Sequence, residues 1–210
     1  MEELDLLKKD WKKSDHTFKE VSENEIYTML HRRSSSIVKW ILVIGIIEVL
    51  VWSGIGLIFS TDDYLKKMEH NSFVTGVRVF NYINYAIVLI FMYLFYRNYV
   101  NISATSSTRK LMKDIIKTRK TVQYYVWFNL AVIAISLVLG FFMAVSYNPE
   151  ISGLREQINH DGAAMAKFLG LIFLIILVCV AVFWAIYRLI YGILLRRLLY
   201  NYRELKKIDL

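Results

Sequence analysis

Cysteine occurs once in this chain, at Cys179 within an apolar run, so neither a disulfide framework nor a cysteine-based zinc site can be built from it. HExxH, glycine-rich phosphate loops and G-x-S-x-G are all missing, which removes the common signatures of metalloproteases, nucleotide-phosphate binding and serine hydrolases. A cleavable leader is not apparent. The first apolar run starts only at Ile37, after a long charged segment, and no small-residue cleavage site follows it. That first helix is therefore expected to stay in the mature protein.

What is present is apolar. Of 210 residues 56% are hydrophobic and 15% aromatic, with a single proline, and four runs approach twenty residues each. A soluble domain of this size rarely carries four such runs. A net charge of +8 is compatible with nucleic-acid binding, but the basic residues gather at the ends of the apolar runs, so no direct nucleic-acid partner is expected.

The expected fold is an all-α integral membrane protein with four transmembrane helices and cytoplasmic amphipathic extensions. The spans fall at about 37–59, 80–100, 124–145 and 167–187. Segments 1–35 and 191–210 flank this 36–190 bundle as a cytoplasmic N-terminal helical segment and a cytoplasmic helical tail. Of the 26 Lys and Arg residues, 21 lie in 1–40, 97–121 and 188–210. Basic flanks stay cytoplasmic, which places both termini inside. Trp40, Tyr96, Tyr125, Trp127, Trp184 and Tyr187 crowd the predicted inner boundary as an interfacial belt. On this topology His16 and His31 lie inside while His70 and His160 lie outside, so the four cannot converge on one metal ion. No cofactor is expected.

Local signals sharpen the inner face. Leu4, Leu7 and Trp11 form an apolar stripe at i, i+3 and i+7, a candidate docking face for this protein's own surface, for a partner or for the membrane. Ser22 and Glu25 are spaced for a capping box, and Val21 and Ile26 for a hydrophobic staple. The helix they start runs toward the first span, with the serines at 34–36 as a potential break. In the middle connection, RKLMKDIIKTRK sets Leu111, Met112, Ile115 and Ile116 against a nearly all-basic opposite face. It suits either an inward extension of the third span or a helix lying on an anionic leaflet. The two halves share a pattern of basic entry, outward helix, outer connection and inward helix, so a parallel internal repeat is open.

Glu48 is the oddest residue, the single ionisable side chain in the nineteen residues from Ile41 to Phe59. Acids in such runs normally face a protein interior or water. Gly45, Trp52 and Gly56 share its face, and small residues mark close helix contacts. The third span offers Asn129, Ser136 and Gly140, with Ser136 expected at nearly the depth of Glu48, and the fourth offers Gly170, Ala181 and Ala185. Glu48, Asn129 and Ser136 are thus the candidate polar or proton site, and Gly45, Trp52, Gly56, Gly140 and Gly170 the candidate packing positions. Glu48 either hydrogen-bonds across helices as a structural group or serves a proton or ion pathway.

The stretches LDLLKKDWKK (4–13) and MLHRRSSSIVKWI (29–41) resemble a group of uncharacterised small four-helix inner-membrane proteins of Bacteroidota-type bacteria. Some of these carry a carotene-oxygenase label, which the dispersed histidines contradict. The resemblance implies a multi-pass protein of the bacterial inner membrane. Genes of that group neighbour alternative sigma factors, which implies a membrane-tethered regulator holding a cytoplasmic partner, a transcription regulator.

The expectation is accordingly a non-enzymatic, membrane-anchored interaction or regulatory protein that presents a basic, helical cytoplasmic face to a partner. The alternative is a small transporter, channel or proton-linked sensor using Glu48. A homodimer through the long fourth helix is the expected self-association, because small-residue stripes on several helices leave surplus packing faces.

Overall fold

A computed structural model of the chain describes residues 22–58, 72–105, 107–147 and 162–208. The stripe Leu4, Leu7 and Trp11, the staple residue Val21, and His16, His70 and His160 lie outside the described residues. The described chain is all helical: α1 (Glu23–Ile58), α2 (Ser72–Ala104), α3 (Thr108–Tyr147) and α4 (Gly162–Ile208). All four are long and apolar enough to cross a membrane.

Each helix outruns the apolar segment inside it. α4 has 47 residues, or about 70 Å at 1.5 Å per residue, more than twice a hydrocarbon core. α1 starts at the expected capping box. Glu25 N–H donates to Ser22 Oγ and Ser22 N–H donates to Glu25 Oε2, each at 3.3 Å. The expected break at residues 34–36 does not occur. Ser34 is fully buried and accepts a hydrogen bond from Asn201 Nδ2 at 3.1 Å, so that serine packs inside the bundle. The basic stretch of the middle connection is the first part of α3, with Leu111 and Ile115 buried, and not a separate helix on a surface.

The helices form a four-membered ring in which each packs on the two beside it, with a thinner α1–α3 contact across the diagonal. Two layers of buried side chains fix their directions. One joins Leu30 and Val38 of α1, Ile102 of α2, Leu111 and Ile115 of α3, and Leu198 and Leu205 of α4. The next joins Ile41, Phe95, Val122, Tyr125, Leu130, Tyr187 and Tyr191. Between the layers the numbering rises along α1 and α3 and falls along α2 and α4, so neighbours are antiparallel. Both layers lie toward the end that holds residues 22 and 208, here called the basic end.

The turn between α2 and α3 is pinned there. Tyr27 Oη donates to Thr105 O at 3.1 Å, and His31 Nε2 lies 2.7 Å from Ile102 O. Thr105 Oγ1 donates to Asn101 O at 2.6 Å and contacts Asp114 Oδ2 at 3.4 Å. Burial pushes the Tyr27 phenol above its usual range.

Beyond the second layer the packing thins abruptly. Toward the other end, Val74 is the only described residue that is buried. There Phe73 and Phe142 meet with ring centroids 5.1 Å apart, joining α2 to α3.

Candidate functional site

Glu48 lies where the tight core ends. From α3, Tyr125 Oη donates to Glu48 Oε2 at 3.0 Å. From α4, Tyr191 Oη donates to the same oxygen at 3.1 Å, and the Tyr187 hydroxyl donates to Oε1. Three phenols on two helices thus converge on one carboxyl of a third. A carboxylate is an acceptor with about four lone-pair sites, so it accommodates all three donors.

The phenols are held by packing. Tyr125 makes edge contacts with Phe91, Phe95 and Tyr191 at 5.4, 5.2 and 6.1 Å, and Tyr187 stacks on Tyr191 at 6.0 Å. These ring contacts restrict the hydroxyls to positions beside Glu48.

This cluster overturns one assignment. Tyr125 and Tyr187 are buried and face inward, whereas Trp40, Tyr96, Trp127 and Trp184 of the expected belt are exposed. Tyrosine serves both settings because its ring is apolar and its tip polar, so sequence position near a boundary does not decide which way it points.

Above Glu48, on the loosely packed side, is a partly open cavity of about 480 Å³. Glu48, Tyr125 and Tyr187 line it together with Asn129 and Ser136 of α3 and Asn81, Asn84 and Tyr85 of α2. Valines 49, 88 and 132, with Ile133 and Leu137, make much of the remaining wall. Trp52 of α1 and Phe183 of α4 also line it, with centroids 5.8 Å apart. Asn129 Nδ2 donates to Tyr125 O at 3.0 Å, whereas Asn84 Oδ1 is buried without a hydrogen-bond partner.

The structure therefore gathers Glu48, Asn129 and Ser136 around one space, but the direct partners of Glu48 are tyrosines. Ser136 lies eleven positions beyond Tyr125 on α3, about 16 Å along a helix axis. The register of α1 against α3 is set by buried neighbours such as Ile41 with Val122 and Tyr125. The periodic row Tyr187, Tyr191, Leu194 and Leu198 was the signal that these tyrosines share an inward face.

The glycines separate. A Cβ at Gly45 would meet Met92 Cε at 2.9 Å, so α1 and α2 approach closely there. At Gly56, Gly140 and Gly170 a Cβ would meet nothing within 4 Å, so these three are not close-packing positions among the described residues. Ala181 and Ala185 are likewise exposed.

One further feature lies toward the basic end. Lys110, Lys113, Lys117 and Lys120 line a shallow furrow on α3 with Asp114 and Tyr124. No cluster of three or more His, Cys, Asp or Glu side chains among the described residues is placed to hold a metal ion.

A family described as a domain of unknown function, DUF8845, matches residues 24–210, and the chain belongs to that family. No curated protein and no solved structure matches it.

Proposed function

We propose that this member of the DUF8845 family is a multi-pass membrane sensor, in which a ligand cavity beside Glu48 is coupled to a basic helical bundle that engages a cytoplasmic protein partner. In this reading both termini and the basic end are cytoplasmic, the membrane is the bacterial inner membrane, and the partner is a transcription regulator as the sequence resemblance implies. It joins a regulatory role with a sensing role for Glu48.

The observation that carries it is the cross-helix grip on Glu48. The carboxyl of α1 borders the cavity, and its donors stand on α3 and α4. Those same helices continue without interruption into the bundle that carries Leu111, Ile115, Leu198 and Leu205. A change in the charge or contacts of Glu48 thus bears directly on three of the four rods of the basic end. The thin packing on the cavity side fits a membrane setting. Lipid tails supply no hydrophobic drive for helix association, whereas water around the basic end does.

Conduction is the weaker reading. Below Glu48 lie Ile41, Phe95 and Val122, all fully buried and none of them lining the cavity. The output surface in this proposal is the lysine furrow of α3, whose charge suits an acidic protein segment.

Hydrogen exchange on the full-length protein in nanodiscs tests the coupling. Glu48→Gln is expected to change amide protection at 108–122 and 196–208 as well as beside the site. A change confined to residues within one turn of positions 48, 125, 187 and 191 would reduce Glu48 to a structural group and end the sensor reading.

A further inference from the structure

The cavity's chemistry points to its occupant. We propose that it binds a lipophilic ammonium ion, a primary or secondary amine with an apolar body, whose nitrogen sits on Glu48. This deepens the ligand-site half of the proposed function and rests on it.

Charge is the first argument. The three phenols that reach Glu48 are neutral donors, and no ion pair reaches it among the described residues. Hydrogen bonds satisfy the lone pairs of a carboxylate but leave its unit charge in place. In apolar surroundings that charge is costly without an opposite one nearby. A monocation in the cavity supplies it. An anion would add repulsion, and a neutral apolar occupant would leave the charge uncompensated.

Hydrogen-bond polarity is the second. The phenols fill three of about four acceptor positions on Glu48, which leaves one. That open position is an acceptor. The matching ligand carries N–H donors, which a protonated primary or secondary amine has and a quaternary ammonium lacks.

The walls are the third. Trp52, Phe183 and Tyr85 line it with aliphatic side chains, and aromatic rings attract organic cations. A hard metal cation prefers six or more oxygen ligands, and this wall has a single carboxylate. A volume of about 480 Å³ falls within the range of small-molecule sites.

The test is equilibrium binding of tritiated phenethylamine to the full-length protein in zwitterionic nanodiscs at neutral pH, with empty nanodiscs as background. Saturable binding is expected, displaced by unlabelled amine but not by equal concentrations of phenethyl alcohol or hydrocinnamate. Glu48→Gln should weaken it by at least about tenfold, since it removes the charged partner of a desolvated pair. Val132→Phe should also weaken it by filling the cavity while leaving Glu48 and its tyrosines intact, so the assignment stays testable if Glu48→Gln folds poorly. Absence of saturable binding, equal displacement by the alcohol, or full affinity in Val132→Phe would each overturn the proposal. Amine binding that is present while the basic end shows no exchange response would instead overturn the coupling and leave the ammonium site standing.

Discussion

Tyr191 of α4 places its hydroxyl 3.1 Å from Oε2 of Glu48 on α1, across 143 positions of sequence. Tyr125 donates to that same oxygen, so the two phenols share an acceptor and their contributions are linked. Tyr191→Phe and Tyr125→Phe should each lower stability by about 0.5–1.5 kcal/mol, the net scale of one hydrogen bond. Their double variant should depart from the sum, because residues in one network couple. Denaturant titration of the four proteins in mixed micelles measures the cycle; strict additivity would show that the phenols act independently.

Gly45 and Gly140 should respond in opposite ways to the same change. Gly45→Ala puts a methyl against Met92 Cε, while Gly140→Ala puts one into open space. Alanine in a helix interior gains up to about 1 kcal/mol over glycine. Gly140→Ala should show much of that gain as a raised melting temperature, and Gly45→Ala less or none. Gly45→Phe, too large for Met92 to accommodate by a small shift, should separate α1 from α2 and lower the melting temperature clearly.

Ser34 and Asn201 form a buried polar pair between α1 and α4. Ser34→Ala leaves the Asn201 amide without this partner and should cost about 1–3 kcal/mol, the penalty of an unsatisfied buried group. Adding Asn201→Leu should recover part of the loss, because an apolar pair has no donor to strand. Thermal unfolding of the single and double variants decides it, and a double variant worse than the single would contradict this account.

Orientation is checked by labelling single cysteines introduced into a Cys179→Ser background. Positions 110 and 205 should react only when the inner face is open to an impermeant maleimide, and positions 65 and 155 from outside. Reaction of position 110 from outside would reverse the proposed topology.

Much of the architecture was legible because its causes are local. The four apolar runs, the capping box at Ser22 and Glu25, and the basic stripe of α3 each follow from residues of one continuous stretch of chain. Glu48 was legible too, as an acid in an apolar run. Its partners were not. Tyr125 and Tyr187 read as boundary residues because an amphipathic ring near a run's end suits either solvent or interior. Gly56, Gly140 and Gly170 read as packing positions because small size permits a close approach without ensuring that a neighbour arrives.

The sequence by itself therefore determined the helices, their length and apolar character, and the oddity of Glu48, since hydropathy, capping and charge are properties of contiguous residues. Tertiary structure alone decided that Ser34 meets Asn201, that three phenols meet Glu48, and that the core closes on one side of that residue and opens into a cavity on the other. Those facts depend on the rotation and axial offset of each rod against its neighbours. Offset and rotation are fixed by how large side chains such as Phe95, Tyr125 and Tyr191 interdigitate among four helices at once, which no single stretch of chain records.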